Sequence, residues 1–216
     1  MSFSVSHLAD ALNDALATEA ARLDHRQSPH GLDSLDEVRL HPVLRRGLEA
    51  SGYGVYPEQM YPQPARPRRE TECERCDLVV TTDGQPLHAP WREPTLFDPP
   101  RPVPLDEAFW LEVKVIGQFT PDGPNSRYSA QLLTGAARDV QKLSRNRGIL
   151  HAGVLIVLFA RDRKTVDHDL AAWLDHCLRC GLSVRSPSVR GFEITDRLGN
   201  RRCSLGLYPV RPAEAS

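Results

Sequence analysis

No apolar run in this chain of 216 residues approaches the roughly 20 residues a helix needs to span a bilayer. The longest, from Gly153 to Ala160, has the length of a buried strand. The first residues lack the basic start of a secretory leader, and Asp10 and Asp14 interrupt the first apolar stripe, so a cytoplasmic location is expected. Charge of one sign is also lacking: 27 Lys and Arg against 28 Asp and Glu give a net charge of -1, and no global basic field argues for a polyanionic partner. The chain has no Gly-x-Ser-x-Gly elbow, no phosphate-binding Gly-rich loop, no dinucleotide fingerprint and no internal repeat. The sequence grounds for a serine hydrolase of the elbow type, a P-loop enzyme or a nicotinamide dehydrogenase are therefore absent.

What is present is ordinary in bulk: 40% apolar and 25% charged residues, enough for one sizeable hydrophobic core. Val5, Leu8, Leu12, Leu16 and Leu23 fall near one stripe of a 3.6-residue period, which predicts an amphipathic helix over 4–24. Residues 35–51 predict a second helix with Val43, Leu44 and Leu48 buried, broken or restarted at Pro42 and stopped near Gly52. Gly54 to Tyr61 reads as a strand that Pro57 places at an edge or bulge. Residues 74–82 form a second strand turning at Asp83-Gly84. Seven of the eighteen prolines fall in 85–106, which excludes regular helix or central sheet; Trp91, Leu96 and Phe97 give that insertion something to bury. A third strand over 109–117, a helix over 126–145, a fourth strand over 150–160 and a helix over 166–179 capped at Gly181 follow. A short strand at 182–185 and a hairpin, 192–195 with 203–208, complete the chain, the hairpin turning near Gly199-Asn200. This order implies an α/β fold with a mixed sheet in a single domain: a helical extension (1–34), a core (35–160) carrying the Pro-rich insertion (85–106), and a C-terminal helix and hairpin (161–216).

Three charged residues sit inside the apolar strands. Asp77 lies between Cys76 and Leu78-Val79-Val80, and Glu112 and Lys114 alternate with Leu111, Val113 and Val115. A buried charge costs several kcal/mol unless it is paired or holds a metal. Residues i and i+2 of a strand share a face, so Glu112 and Lys114 project together, and Asp77 can join them if the second and third strands are neighbours. Two carboxylates suit Mg²⁺ or Mn²⁺, and the lysine can orient or deprotonate a bound water or neutralise a substrate phosphate. The plain alternative is a salt bridge of Lys114 with Asp77 or Glu112.

The succession of a helix, three strands of which the second bears Asp and the third Glu-x-Lys, then a helix and a strand, resembles the PD-(D/E)XK nuclease superfamily, the restriction-endonuclease-like fold, over about residues 35–160. The resemblance implies that Asp77 and Glu112 bind the metal and that Lys114 assists the attacking water. Many members add a Glu in the helix before the first strand; Glu49 is the first candidate here, ahead of Glu37, with Glu58 a third choice. In some branches a Gln of the following helix joins the site, which points to Gln131, although Gly135 stands where those branches have Tyr. Asp139, Lys142 and Leu143 resemble the Asp-x-x-Lys-Leu pattern of that helix. The chain departs from the family at Cys76, where Pro is usual, and in the long separation between Asp77 and Glu112. The implied activity is Mg²⁺-dependent hydrolysis of phosphodiester bonds, with DNA as partner and a homodimer as the form in which many such nucleases cut duplexes.

Arg66, Arg68, Arg69, Lys142, Arg145 and Arg147 are the candidate contacts to a nucleic-acid backbone. Cys73, Cys76, Cys177 and Cys180 form two Cys-x-x-Cys pairs that could hold a structural Zn²⁺, against free buried thiols as the plainer expectation. Trp110, two residues before Glu112, is expected to border the cleft. The rival to an enzyme is a non-catalytic member of the same fold serving as a structural or partner-binding subunit.

Overall fold

The computed structural model of the chain describes residues 3–62, 74–88 and 102–211. Two helices, α1 (Val5–His25) and α2 (Glu37–Ala50), precede strands β1 (Gly54–Met60), β2 (Arg75–Thr81) and β3 (Phe109–Gly117). A small pairing of β4 (Phe119–Thr120) with β5 (Gly123–Pro124) leads into α3 (Tyr128–Ala130), a π-helical turn (Gln131–Gly135) and α4 (Ala136–Arg145). Then come β6 (His151–Ala160), α5 (Arg163–Arg179), β7 (Ser188–Glu193) and β8 (Arg202–Val210). The six long strands form one mixed sheet in the order β1-β2-β3-β6-β8-β7, parallel only between β3 and β6. Among the described residues no helix is long and apolar enough to cross a membrane.

Helices cover both faces. Leu8, Leu12 and Leu16 of α1 and Leu40, Leu44 and Leu48 of α2 pack on Leu78, Val80, Leu111 and Val113. On the other face Val140 and Leu143 of α4 and Trp173 of α5 pack with Val79, Trp110, Val154 and Ile156. Strand β6 contributes to both cores, which explains its unbroken apolar run. Ser4, Asp36 and Asp162 cap α1, α2 and α5 by accepting the amides of His7, Arg39 and Thr165, worth about 1 kcal/mol each.

The structure departs from the expected elements in three places. Helix α2 runs through Pro42 without a break. The carbonyl that loses its partner belongs to Val38, which is 75% exposed, so water can replace the missing N–H. Residues 182–185 make only an isolated bridge, Val184 to Val210. The terminal hairpin is longer than its apolar pattern suggests, extending back to Ser188. Of the Pro-rich insertion, residues 89–101 lie outside the described residues, and with them Trp91, Leu96 and Phe97. Its two ends meet, however: Val103 accepts the amide of His88 and donates its own to Pro86. The insertion therefore leaves and re-enters at one point, and β2 and β3 become neighbours despite it.

Candidate functional site

Strands β2 and β3 pair through Val80–Phe109, Val79–Trp110 and Leu78–Leu111, and there the pairing stops. On the other flank of β2 the register steps from Pro57–Leu78 to Gln59–Cys76 without a Glu58–Asp77 pair. Glu58 takes φ +55°, a left-handed conformation uncommon for a residue with a Cβ. Cys76 faces the same core as Val79, whereas Leu78 faces the opposite one, so β2 turns over at Asp77. The Asp77 carboxylate fills the gap it stands in: Oδ2 accepts the Val113 amide at 2.7 Å. That bond satisfies a backbone donor that β2 no longer serves.

Glu112 is 3% exposed. Its Oε1 lies 2.8 Å from Nζ of Lys142 on α4 and also accepts the hydroxyl of Tyr61. The Tyr61 ring stacks on Trp110 at 5.0 Å between centroids, and the Lys142 ammonium lies 5.1 Å from the Tyr61 centroid. Lys142 donates in addition to the Arg75 carbonyl. Burial, and then the negative charge of Asp77, push the Glu112 carboxyl up to about 7 despite Lys142 and Tyr61. Burial pulls Lys142 down, but Glu112 outweighs it and the ammonium is held above its ordinary range. The pair is thus attractive, while ionising Glu112 in this place still carries a net cost.

Lys114 projects into the space beyond the end of the β2–β3 pairing. Its Nζ lies 3.2 Å from Oε2 of Glu37 at the start of α2 and 3.4 Å from Oδ2 of Asp139 on α4. Burial opposes its charge, but Asp139 and Glu37 together raise its pKa. Asp139 is pushed up to about 6 by burial, against the pull of Lys114, and its Oδ2 is buried without a hydrogen bond. Asp139 and Lys142 lie three residues apart on one face of α4, so strand and helix exchange charges: Glu112 meets Lys142, and Lys114 meets Asp139. The expected alternative of a bridge from Lys114 to Asp77 or Glu112 is replaced by these partners.

A third group completes the cluster. Glu37 and His41, one turn apart on α2, and Asp77 each offer a ligand atom, all within 4.8 Å of one another. Nε2 of His41 is buried with no hydrogen-bond partner. Glu37, Asp77, Glu112 and Asp139 together outnumber Lys114 and Lys142, so the cluster in its ionised form holds more negative than positive charge. Such a surplus, raised carboxyls and an orphaned imidazole nitrogen fit a divalent cation. A cleft of about 520 Å³ opens beside it, lined by Asp36, Glu37, Lys114, Phe119, Asn125 and Gln131.

The other residues singled out from the sequence fall as follows. Glu49 is at the far end of α2, exposed and ion-paired to Arg45 at 2.7 Å; twelve residues of helix place it about 18 Å along the axis from Glu37. It is Glu37 that reaches the cluster. Glu58 is exposed on edge strand β1. Gln131 lines the cleft through the π-helical turn, and its Oε1 accepts from Asn125 at 2.9 Å. Trp110 does not border the cleft; it is fully buried and donates to the Leu105 carbonyl, supporting Tyr61 from beneath. Lys142 is no free phosphate contact, because Glu112 and the Arg75 carbonyl hold it. Arg145, in the last turn of α4, and Arg147, just beyond it, are exposed, whereas Arg66, Arg68 and Arg69 lie outside the described residues. So does Cys73. Cys76 and Cys177 are buried and Cys180 exposed, and among the described residues these thiols form no three-donor group. His41 is the residue sequence reasoning passed over; its signal was the i, i+4 spacing from Glu37 on a helix that leads into the core. Comparison with family models, with curated proteins and with solved structures gives no match.

Proposed function

We propose that this protein is a metal-dependent nuclease of the restriction-endonuclease-like kind, hydrolysing phosphodiester bonds in DNA. The observation that carries the reading is that Asp77, Glu112 and Lys114, parted in sequence by the Pro-rich insertion, reach one charged cluster where β2 and β3 part. The sheet order supports it: two antiparallel pairings, then the parallel β3–β6 pair joined through α4, with α2 on the opposite face. Asp77 would hold Mg²⁺ or Mn²⁺ together with further donors of the cluster, and the ion would supply a Lewis acid for the phosphoryl oxygen and its water. The chain's own residues do the positioning. The Val113 amide fixes the Asp77 carboxylate, Lys142 and Tyr61 fix Glu112, and Glu37 and Asp139 hold the Lys114 ammonium at the cleft wall. From there Lys114 can donate to a phosphate oxygen or to the attacking water, where charge develops in the transition state.

A second reading has its own support: each lysine already has carboxylate partners, as in a self-contained ion network of a non-catalytic subunit. Incubating the protein with single- and double-stranded DNA and with RNA, in Mg²⁺ or Mn²⁺, separates the two. Cleavage that Lys114→Ala reduces by about 100-fold or more supports the nuclease. Full activity in that variant removes Lys114 from the mechanism, and no cleavage of any form together with no metal binding favours the subunit.

A further inference from the structure

The Glu37–His41–Asp77 trio differs from an all-oxygen Mg²⁺ centre in one respect, its imidazole. Glu37 and His41 are fixed relative to each other by one turn of α2, and Asp77 is fixed by its Oδ2 bond to the Val113 amide, which leaves Oδ1 for another partner. Nε2 of His41 is buried without a hydrogen bond, a state that neutral imidazole in a packed site normally avoids. Glu112, by contrast, already spends Oε1 on two donors, Lys142 and Tyr61. Lys114 has Asp139 as a second carboxylate, so Glu37 can serve an ion without leaving Lys114 unpaired.

We infer that Glu37, His41 and Asp77 form the metal centre itself, that its imidazole makes it select a first-row transition-metal dication such as Mn²⁺ over Mg²⁺, and that Glu112 stays outside the coordination sphere. The inference rests on the nuclease reading for the ion's task and on the trio's geometry for its place. Mg²⁺ takes oxygen ligands and keeps its waters, whereas a site of two carboxylates and one imidazole gains affinity along the transition series. In this arrangement α2 is the metal-binding helix, and Glu112 with Lys142 forms a separate, buried ion pair.

The test uses the full chain stripped with a chelator. Calorimetric titration should give one Mn²⁺ per chain, bound at least about tenfold more tightly than Mg²⁺. His41→Gln should weaken Mn²⁺ binding by about 10- to 100-fold and leave Mg²⁺ binding within about threefold, while Glu112→Gln should leave Mn²⁺ binding within about threefold. Pulsed electron paramagnetic resonance on the unaltered protein reads the same contact without any substitution: bound Mn²⁺ should show coupling to an imidazole nitrogen, which remains decisive if His41→Gln does not fold. Equal affinity for the two ions, no binding of either, Mn²⁺ binding unmoved by His41→Gln, or no nitrogen coupling would each overturn the inference. A Glu112→Gln loss as large as that of Asp77→Asn would place Glu112 in the sphere and overturn it too. Mg²⁺-dependent cleavage indifferent to His41 would leave the nuclease standing and sink this centre; Mn²⁺ held at His41 with no cleavage of any nucleic acid would do the reverse.

Discussion

From Phe109 to Leu111, β3 has β2 on one flank and β6 on the other; from Glu112 to Gly117 only β6 remains. The first half is wholly apolar and buried. The second half carries Glu112 and Lys114, whose ion-pair partners all come from helices α2 and α4, with the Tyr61 hydroxyl after β1 donating to Glu112 as well. In a continuous sheet, α2 and α4 would be separated by a layer of backbone. Here the missing flank lets Glu37 and His41 from one face approach Asp139 from the other, with Lys114 between Glu37 and Asp139. The two halves show that the cluster is a consequence of where pairing stops, and that Asp77 marks the stop by giving its carboxylate to a backbone amide.

Substitutions on the two halves should therefore differ in kind. Leu111→Ala, in the paired half, removes a fully buried side chain between α2 and the sheet. It should cost about 2–5 kcal/mol of stability in urea melts and leave whatever metal affinity the folded fraction has unchanged. Asp77→Ala, at the stop, should cost about 1–3 kcal/mol because the Val113 amide loses its acceptor. It should abolish metal binding as well, whereas Asp77→Asn should recover much of the stability and none of the binding. Stability recovered by neither variant, or metal binding kept by both, would detach Asp77 from one of its two roles.

The next effect is smaller and has a pH sign. Glu112 is raised from an ordinary carboxyl to about 7, so its contribution is fully present below about pH 4.5 and is lost as pH rises through 7. In chelator, wild type should lose up to about 3 kcal/mol relative to Glu112→Gln between pH 4.5 and 8, the loss levelling off above 7. A difference between the two proteins that stays flat with pH would mean that Lys142 compensates Glu112 fully. The smallest effect belongs to Glu49→Gln, on an exposed ion pair at the wrong end of α2, which should change stability by less than about 0.5 kcal/mol and cleavage not at all.

The strands of this site were legible because β2 and β3 are apolar runs in which Asp77, Glu112 and Lys114 stand out. Their adjacency was not, because the insertion hides from the chain that Leu87 and Val103 bridge its ends. Glu49 was favoured over Glu37 by nearness to β1 along the chain, but α2 brings Glu37 in its first turn to the cluster and leaves Glu49 in solvent at its other end. Lys142 looked like one of a surface basic group with Arg145 and Arg147, since a sequence shows the charge run and not the buried carboxylate below one member. Trp110 shares a strand face with Glu112, as the period of two requires, yet Tyr61 from the end of β1 lies across it and closes it off. His41 sits among Leu40, Val43 and Leu44, where a lone imidazole reads as core; only the position of Asp77 gives it a partner.

The account depends most directly on Lys114 acting at a cleft where a phosphodiester is cut. Cleavage of labelled DNA by wild type and Lys114→Ala, each with Mn²⁺ and with Mg²⁺ and each checked for the same fold by circular dichroism, tests this. The account predicts metal-dependent cleavage by wild type and a loss of about 100-fold or more in the variant. Metal-independent cleavage, or equal cleavage by the two proteins, would contradict it.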